Sequence, residues 1–205
     1  MAEMQRKRQS AIRFFDPDKA GDIVRVLLEY QQLKTLFRQG WLRTRVPKEQ
    51  CETVAEHSLG VALLALLVAD GMRQDLDREK MVTMAMLHDF GEIYAGDLVP
   101  GAASAADKHA REKASVEKVF GGLPEAARYL ALWEEFEAQE TEEARVVKAL
   151  DRLEMGVQAM VYEREGWGPL EDFMETTRKA VGGGALGELV QQLDALRRPA
   201  VPSNS

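Results

Sequence analysis

The sequence has few of the features that mark secreted, membrane or nucleic-acid-binding proteins. Its 205 residues include one cysteine, Cys51, so no intrachain disulfide can form and a reducing compartment fits better than secretion. No apolar run reaches the roughly 18 residues of a membrane span, and the basic residues 1–15 lack the apolar segment of a signal peptide. The net charge of −7 argues against a nucleic-acid-binding surface. We therefore expect a cytoplasmic protein without nucleic acid polymer or membrane partners.

Strand patterns are also lacking, because no stretch alternates apolar and polar residues, and no internal repeat is found. Apolar residues instead recur at helical spacing between Gly, Pro and capping residues. The pattern predicts an all-α domain, a bundle of about seven or eight helices. Predicted helices cover about 19–37, 53–72, 77–96, 106–120, 123–138, 141–164, 169–181 and 186–196. We expect an N-terminal arm at 1–18, the helical domain at 19–181, and a linker, short C-terminal helix and tail at 182–205.

Ionisable residues interrupt the apolar faces of these helices. His57 shares a face with Val61, and a hydrogen-bonded core histidine is the simpler explanation for it alone. His88 shares an apolar face with Met84. Asp89 beside it is harder to explain in that way, because carboxylates are rarely fully buried unless they are paired.

A fourth ionisable residue, Asp151, lies on the face of Val147 and Met155 in a distant helix. A salt bridge with Arg152 would explain Asp151 alone. Taken together, two histidines and two aspartates on apolar faces of three helices form a mixed nitrogen and oxygen set that suits a divalent transition metal. Helical bundles build metal sites from facing helices in this way. Glu92 follows at a spacing that lets it face the same cavity.

These residues carry a family resemblance, through the stretches Ala55-Glu56-His57-Ser58, Leu87-His88-Asp89-Phe90-Gly91-Glu92 and Leu150-Asp151. In the order H…HD…D they resemble the HD-domain metal-dependent phosphohydrolases, an all-α helical fold. The resemblance is closer to one branch, the 5′-deoxynucleotidases, which hydrolyse deoxyribonucleoside 5′-monophosphates to deoxynucleoside and phosphate. Further matches to that branch lie at 32–34, 40–42, 96–100, 108–109, 132–137 and 147–151.

The resemblance implies roles for particular residues. One divalent metal ion, of Co, Mn, Fe, Ni, Zn or Mg, would be held by His57, His88, Asp89 and Asp151. Glu92 and Asp97 match residues that position or activate the attacking water, and Trp41 matches a residue that packs near the substrate sugar. The family also forms homodimers, so a homodimer is expected here.

The phosphate-binding arginine is where the sequence departs from the family, since the loop before His57 is about two residues longer than usual. Arg38 is the first choice for this role, and Arg43 or Arg45 could replace it. A solvated loop cation is the simpler explanation for each of them. Glu135 matches either a further active-site carboxylate or a surface position.

The number of histidines limits the metal content. Dinuclear HD phosphodiesterases need additional histidines, whereas only His109 is left in this chain. A mononuclear site follows, and His109 is expected to be exposed or to support the site indirectly. Two other functions stay open: hydrolysis of another nucleotide, such as a di- or triphosphate, an alarmone or a cyclic nucleotide, and a non-catalytic metal- or nucleotide-binding helical module. Glu92 and Asp97 favour an enzyme, because a structural metal site needs neither.

Overall fold

The computed structural model of the protein describes residues 5–9, 11–16, 19–97 and 104–197. In those residues it contains eight α-helices of nine residues or more, one single-turn α-helix, three short 3-10 helices and no strand, so the all-α prediction is confirmed. The helices are α1 (Asp22–Tyr30), α2 (Val54–Gly71), α3 (Arg78–Leu87), α4 (Glu92–Ala95), α5 (Ala105–Phe120), α6 (Ala126–Ala138), α7 (Glu142–Arg164), α8 (Glu171–Val181) and α9 (Gly184–Arg197).

Capping residues fix the starts of the central helices where the sequence predicts them. Thr53 precedes α2, and its hydroxyl accepts a hydrogen bond from the backbone N–H of Glu56. The Glu56 carboxylate accepts one from the backbone N–H of Thr53, which completes a capping box. Asp77 caps α3 and Thr141 caps α7 through equivalent side-chain bonds. The capping box gives α2 a defined start and hence a defined orientation for His57 in its first turn.

The first helix is shorter than predicted, because α1 ends at Tyr30 rather than near Phe37. Beyond it the chain folds through turns whose apolar residues, among them Leu33 and Leu36, are fully buried. The Leu36 carbonyl accepts a hydrogen bond from the Val54 N–H. A series of turns can also bury apolar residues that recur at helical spacing. The helical spacing therefore continues beyond Tyr30 although the segment is not a helix.

The helix predicted over 77–96 is also interrupted, so the prediction that one helix carries both His88 and Asp89 is wrong. Helix α3 ends at Leu87, and α4 begins only at Glu92. The turn between them is held by hydrogen bonds from the Glu92 N–H to the Asp89 carbonyl and from the Phe90 N–H to the Leu87 carbonyl. It passes close to α5, and a Cβ at Gly91 would lie 2.7 Å from the Glu112 Cβ.

The helices that carry the predicted metal ligands, or that lead into them, form the centre of the bundle. Helices α2, α3 and α7 pack on one another, and their apolar residues share one buried cluster with Phe136 of α6. Helix α9 packs on the same chain, since Val190 belongs to that cluster. By length and composition α2 could cross a membrane, yet half of it is buried, as in a core helix.

Some predictions are not tested by these residues. The last part of the 96–100 match and the tail beyond 197 lie outside the described residues. The division into an arm, a domain and a C-terminal segment stays a prediction.

The capping box makes a prediction for stability. Thr53→Ala removes the side-chain acceptor for the Glu56 N–H, and should lower the free energy of unfolding by about 1 kcal/mol, as other N-cap replacements do. Urea denaturation followed by circular dichroism measures the change. Thr83→Ala, at an interior position of α3, serves as the control and should be neutral or slightly stabilising. An equal loss in both variants would show that the cap is not the cause.

Candidate metal centre

Ligand atoms of His57, His88 and Asp89 lie within 4.8 Å of one another between α2 and the turn after α3, and Asp151 of α7 lies beside His57. His57 Nε2 lies 3.2 Å from Asp151 Oδ1 and 3.8 Å from Asp89 Oδ2, and His88 Nε2 lies 3.2 Å from Asp89 Oδ2. Ligands at 2.0–2.2 Å from one metal ion and at right angles to each other are separated by about 3 Å. The described geometry therefore brings together all four of the residues that the resemblance assigns to the metal.

The hydrogen bonding of these atoms also fits a cation. His57 Nε2, His88 Nε2 and Asp89 Oδ2 are buried and have no hydrogen-bond partner among the described residues, although buried polar atoms are normally paired. His88 Nδ1 lies 2.7 Å from the Ala85 carbonyl oxygen, which can only accept, so this nitrogen carries the proton and Nε2 presents its lone pair to the centre. The unpaired atoms face each other, as the ligands of a divalent ion do.

The two carboxylates of the centre are ionised, as metal ligands must be. Burial alone would raise the pKa of Asp151, but Lys148, His57 and Arg152 outweigh it and hold this pKa well below its usual range. The Lys148 ammonium lies 3.3 Å from Asp151 Oδ2. For Asp89, burial is likewise opposed by His88 and by nearby cations, and the pKa lies below its ordinary value.

Glu92 differs from these carboxylates. It begins α4, it is buried, and its Oε2 has no hydrogen-bond partner among the described residues. Burial raises the pKa of Glu92 well above its ordinary value, and the negative charges of Asp89 and Asp97 raise it further. A carboxyl group with a raised pKa beside a metal centre is suited to accept a proton near neutral pH.

Asp97 contacts the loop that contains Arg38 and Gln39 and holds it in place. Its Oδ2 accepts a hydrogen bond of 2.6 Å from the backbone N–H of Gln39, and its Oδ1 lies 4.0 Å from Arg38 Nη1. The same guanidinium nitrogen lies 3.8 Å from Asp89 Oδ2. Arg38 is therefore held between the metal centre and Asp97.

The centre opens into a cavity of about 530 Å³, which lies in the size range of small-molecule sites. Trp41 forms part of its wall and is itself buried, with its ring stacked on Phe173 at 4.2 Å between centroids. The Trp41 indole N–H donates a 2.7 Å hydrogen bond to Glu52. The lining residues are Arg38, Gly40, Trp41, Arg43, Thr44, Asp89, Glu92, Asp97, Lys108, Lys148, Asp151, Arg152, Met155, Asp172, Phe173 and Thr176.

Several lining residues were given no role in the site by the sequence. Lys108, Lys148 and Arg152 add positive charge to the cavity, and Phe173 adds an aromatic face. Helical spacing could have indicated two of them, because Lys148 and Arg152 lie within one turn of Asp151 on α7. Phe173 carries no such signal, since it belongs to α8 and reaches the cavity only through the tertiary fold.

The remaining candidates differ in their position relative to the cavity. Arg43 lines it, whereas Arg45 lines a neighbouring pocket. Glu135 pairs with Lys80 at 2.5 Å and is absent from the cavity wall, which favours the surface alternative. His109 is exposed, with its ring stacked on Trp133.

An all-α bundle with a buried centre of two histidines and two aspartates beside a polar cavity defines the class of metal-dependent hydrolases. The family model described as "HD domain" matches residues 30–188, and the chain belongs to this HD-domain family. The predicted resemblance and the prediction of a metal-dependent phosphohydrolase are thereby confirmed.

Curated relatives and solved structures agree with this membership. The mouse 5′-deoxynucleotidase HDDC2 is 32% identical over 188 residues, which cover 89% of this chain and 92% of the relative. The Xenopus laevis 5′-deoxynucleotidase HDDC2 is 34% identical over 179 residues, or 85% of this chain and 87% of the relative. A metal-dependent phosphohydrolase predicted in Magnetospirillum magnetotacticum matches with a TM-score of 0.65 and 31% identity, over 86% of this chain and 91% of that one.

The convergence of the ligand atoms predicts the effect of removing one of them. Asp89→Ala should reduce bound metal from one ion per chain to a trace, because Asp89 contacts both histidines of the centre. Elemental analysis after dialysis against limiting Mn²⁺ or Co²⁺ measures the stoichiometry, and circular dichroism checks the fold. The control is Asp75→Ala, which removes an exposed carboxylate. Full metal content in the Asp89 variant would refute the assignment of this ligand.

Proposed function

We propose that the protein is a 5′-deoxynucleotidase, which hydrolyses deoxyribonucleoside 5′-monophosphates to a deoxynucleoside and inorganic phosphate. The observation that carries the proposal is the buried ligand set with Glu92 at one end of a cavity that also has cations and an aromatic wall. The curated relatives that carry the name 5′-deoxynucleotidase support the same conclusion.

In the proposed mechanism His57, His88, Asp89 and Asp151 would hold one divalent ion, which would supply a Lewis acid and lower the pKa of water. Co, Mn, Fe, Ni, Zn and Mg are all compatible with this set of nitrogen and oxygen ligands. Glu92 takes the proton of the attacking water, for which its raised pKa suits it. The water oxygen bonds to phosphorus as the bond between phosphorus and the 5′ oxygen breaks, and the proton taken by Glu92 passes to the 5′ oxygen, so no protein nucleophile is needed. Cys51 is buried in another part of the core.

The phosphate is proposed to bind at the Arg38 end of the cavity. The planar guanidinium suits a phosphate dianion, and Arg38 stands beside Asp89 at the metal centre. Asp97 keeps the loop in place through its bond to the Gln39 N–H. Asp97 therefore positions Arg38, while Arg43 adds a cation farther along the same wall.

The nucleoside is proposed to occupy the aromatic end. Trp41 is fixed by its stacking on Phe173, by its edge contact with Tyr162 and by its hydrogen bond to Glu52. A rigid aromatic wall packs well against the apolar face of a sugar and a base, and it loses little conformational entropy on binding. These contacts support the family role of Trp41 near the sugar.

We further propose that the protein is a cytoplasmic homodimer. Its single cysteine supports a reducing compartment. Support for a dimer comes from α2, whose exposed side carries Leu59, Leu63 and Leu67, each more than half exposed. Residues spaced by four form one ridge on a helix, and such a ridge can pack against its own copy across a two-fold axis.

The dimer proposal predicts that a charge on this ridge separates the subunits. Leu63→Asp should convert a dimer of about 46 kDa, twice the 22.9 kDa chain, into a monomer, as measured by light scattering during gel filtration. Leu196→Asp introduces the same charge at an exposed leucine on α9 and should leave the mass unchanged. The interface lies elsewhere if both variants stay dimeric, and the dimer proposal is wrong if the unmodified protein is a monomer.

The function is tested by phosphate release from a panel of ribo- and deoxynucleoside monophosphates, with pyrophosphate release from triphosphates measured in parallel. We expect phosphate from dAMP, dGMP or dTMP. Glu92→Gln should keep the metal and lower kcat by about 100- to 10,000-fold, the usual contribution of a general base. Glu135→Gln removes a carboxylate outside the cavity and should be active. Pyrophosphate release, or bound metal without any hydrolysis, would favour the alternatives.

A further inference from the structure

We infer that Glu154 is a positioning residue that orients His57 for metal binding, and that Gly60 provides the space it needs. The inference rests on the proposed role of His57 as a metal ligand. It concerns the contacts behind the ligand set, on the side away from the cavity.

Glu154 lies on α7, three residues beyond Asp151, and its Oε2 is 2.5 Å from His57 Nδ1. A carboxylate can only accept here, so Nδ1 carries a proton, and Nε2 is the nitrogen that is directed at Asp151 and Asp89 and is able to bind a metal. The hydrogen bond thus fixes both the tautomer and the orientation of the ring. Carboxylates that bond to the far nitrogen of a histidine ligand also make the imidazole a stronger electron donor.

Gly60 explains how the Glu154 side chain reaches His57. A Cβ at position 60 would lie 2.7 Å from Glu154 Oε1 and 2.9 Å from its Cγ. Glycine within a helix costs about 1 kcal/mol relative to alanine, so a glycine in the interior of α2 calls for a packing reason. The close approach of Glu154 supplies that reason.

The two histidine ligands are therefore held in different ways. His88 Nδ1 bonds to the neutral carbonyl of Ala85 in its own helix, whereas His57 bonds to a charged group from another helix. His57 depends on the packing of α2 against α7 for its orientation, and Glu154 is the polar contact that joins the ring to α7 on this side.

A second cation is the competing explanation, because Glu52, His57 and Glu154 offer ligand atoms within 4.8 Å of one another. Two of these residues already have hydrogen-bond partners within the protein. Glu52 Oε1 accepts the Trp41 N–H at 2.7 Å, and His57 Nδ1 is within hydrogen-bond distance of Glu154. A hydrogen-bonded pair at 2.5 Å leaves no space for an ion between its atoms, so we assign the cluster to ring positioning.

The experiment measures metal affinity without nucleotide, by competition of metal-free protein with a fluorescent chelator for Mn²⁺ and Co²⁺. Glu154→Gln should raise the Kd by about 10- to 100-fold, the usual effect of such supporting groups. Gly60→Ala displaces the flexible end of Glu154 and should raise the Kd in the same direction while the fold is retained. Glu163→Gln is the matched control, since Glu163 is 14% exposed on α7 and Glu154 is 13% exposed.

Two further readouts separate positioning from a general loss of stability. ¹⁵N spectra of histidine in the metal-free protein, which has three histidines to assign, should show His57 protonated at Nδ1. The visible spectrum of the Co²⁺ form should change in Glu154→Gln and not in Glu163→Gln.

Unchanged affinity in both Glu154→Gln and Gly60→Ala would overturn the inference. If Glu154→Gln fails to fold, the metal affinity of Gly60→Ala alone tests the inference. Two ions per chain in the unmodified protein, with one lost in the Glu154 variant, would establish the second-cation explanation instead. A protein that loses metal affinity as expected but hydrolyses no nucleotide would refute the proposed function and leave the role of Glu154 standing.

Discussion

The structure depends on four ionisable side chains held close together between α2, the turn after α3, and α7, with His57, His88 and Asp151 buried and Asp89 partly buried. Removing charges from water costs on the order of several kcal/mol per ion unless opposite charges compensate. Here Lys148 contacts Asp151, Arg38 approaches Asp89, His57 faces both carboxylates, and His88 faces Asp89. The unpaired atoms that remain are those that a divalent ion would satisfy. The apolar packing of the helices thus holds the ligand side chains close together, and the negative charge and unpaired atoms of those side chains favour a bound cation.

The turn that separates α3 from α4 positions side chains of the site. A continuous helix would place residues 88, 89 and 92 at regular angles around one axis, with successive side chains about 100° apart. The turn after Leu87 instead directs His88 and Asp89 to the same centre, and it lets Glu92 start a new helix at the cavity wall. The turn requires glycine at position 91, because a side chain there would collide with Glu112 of α5. The residues of the HD pair are therefore positioned by a tertiary contact as well as by their own sequence.

Most of the helices, the caps of α2, α3 and α7, and the four ligand candidates could be predicted from sequence, because periodicity and capping are local and because ionisable residues are conspicuous in an apolar pattern. The end of α1 at Tyr30 could not be predicted, since Leu33 and Leu36 keep a helical spacing while they pack beneath turns. The end of α3 at Leu87 could not be predicted either, because the helical spacing of apolar residues continues through the turn that follows. Phe173 and the pairing of Glu154 with His57 depend on contacts between helices that are distant in sequence, so neither has a local signal.

Arg38 shows how the metal centre and the substrate end of the cavity are connected. Its guanidinium nitrogen is 3.8 Å from Asp89 and 4.0 Å from Asp97, which is longer than the 2.7–2.9 Å of a direct charge-assisted hydrogen bond. Neither carboxylate therefore occupies its donors, although both stabilise its charge. Asp89 faces this cation on one side and the two histidines on the other. An ion bound by Asp89 would be attracted by the same negative charge that stabilises Arg38. The positive charge of the Arg38 guanidinium would then be compensated mainly by Asp97. A phosphate dianion at the proposed site would restore that balance, because it would bring negative charge to the place where Asp89 no longer supplies it.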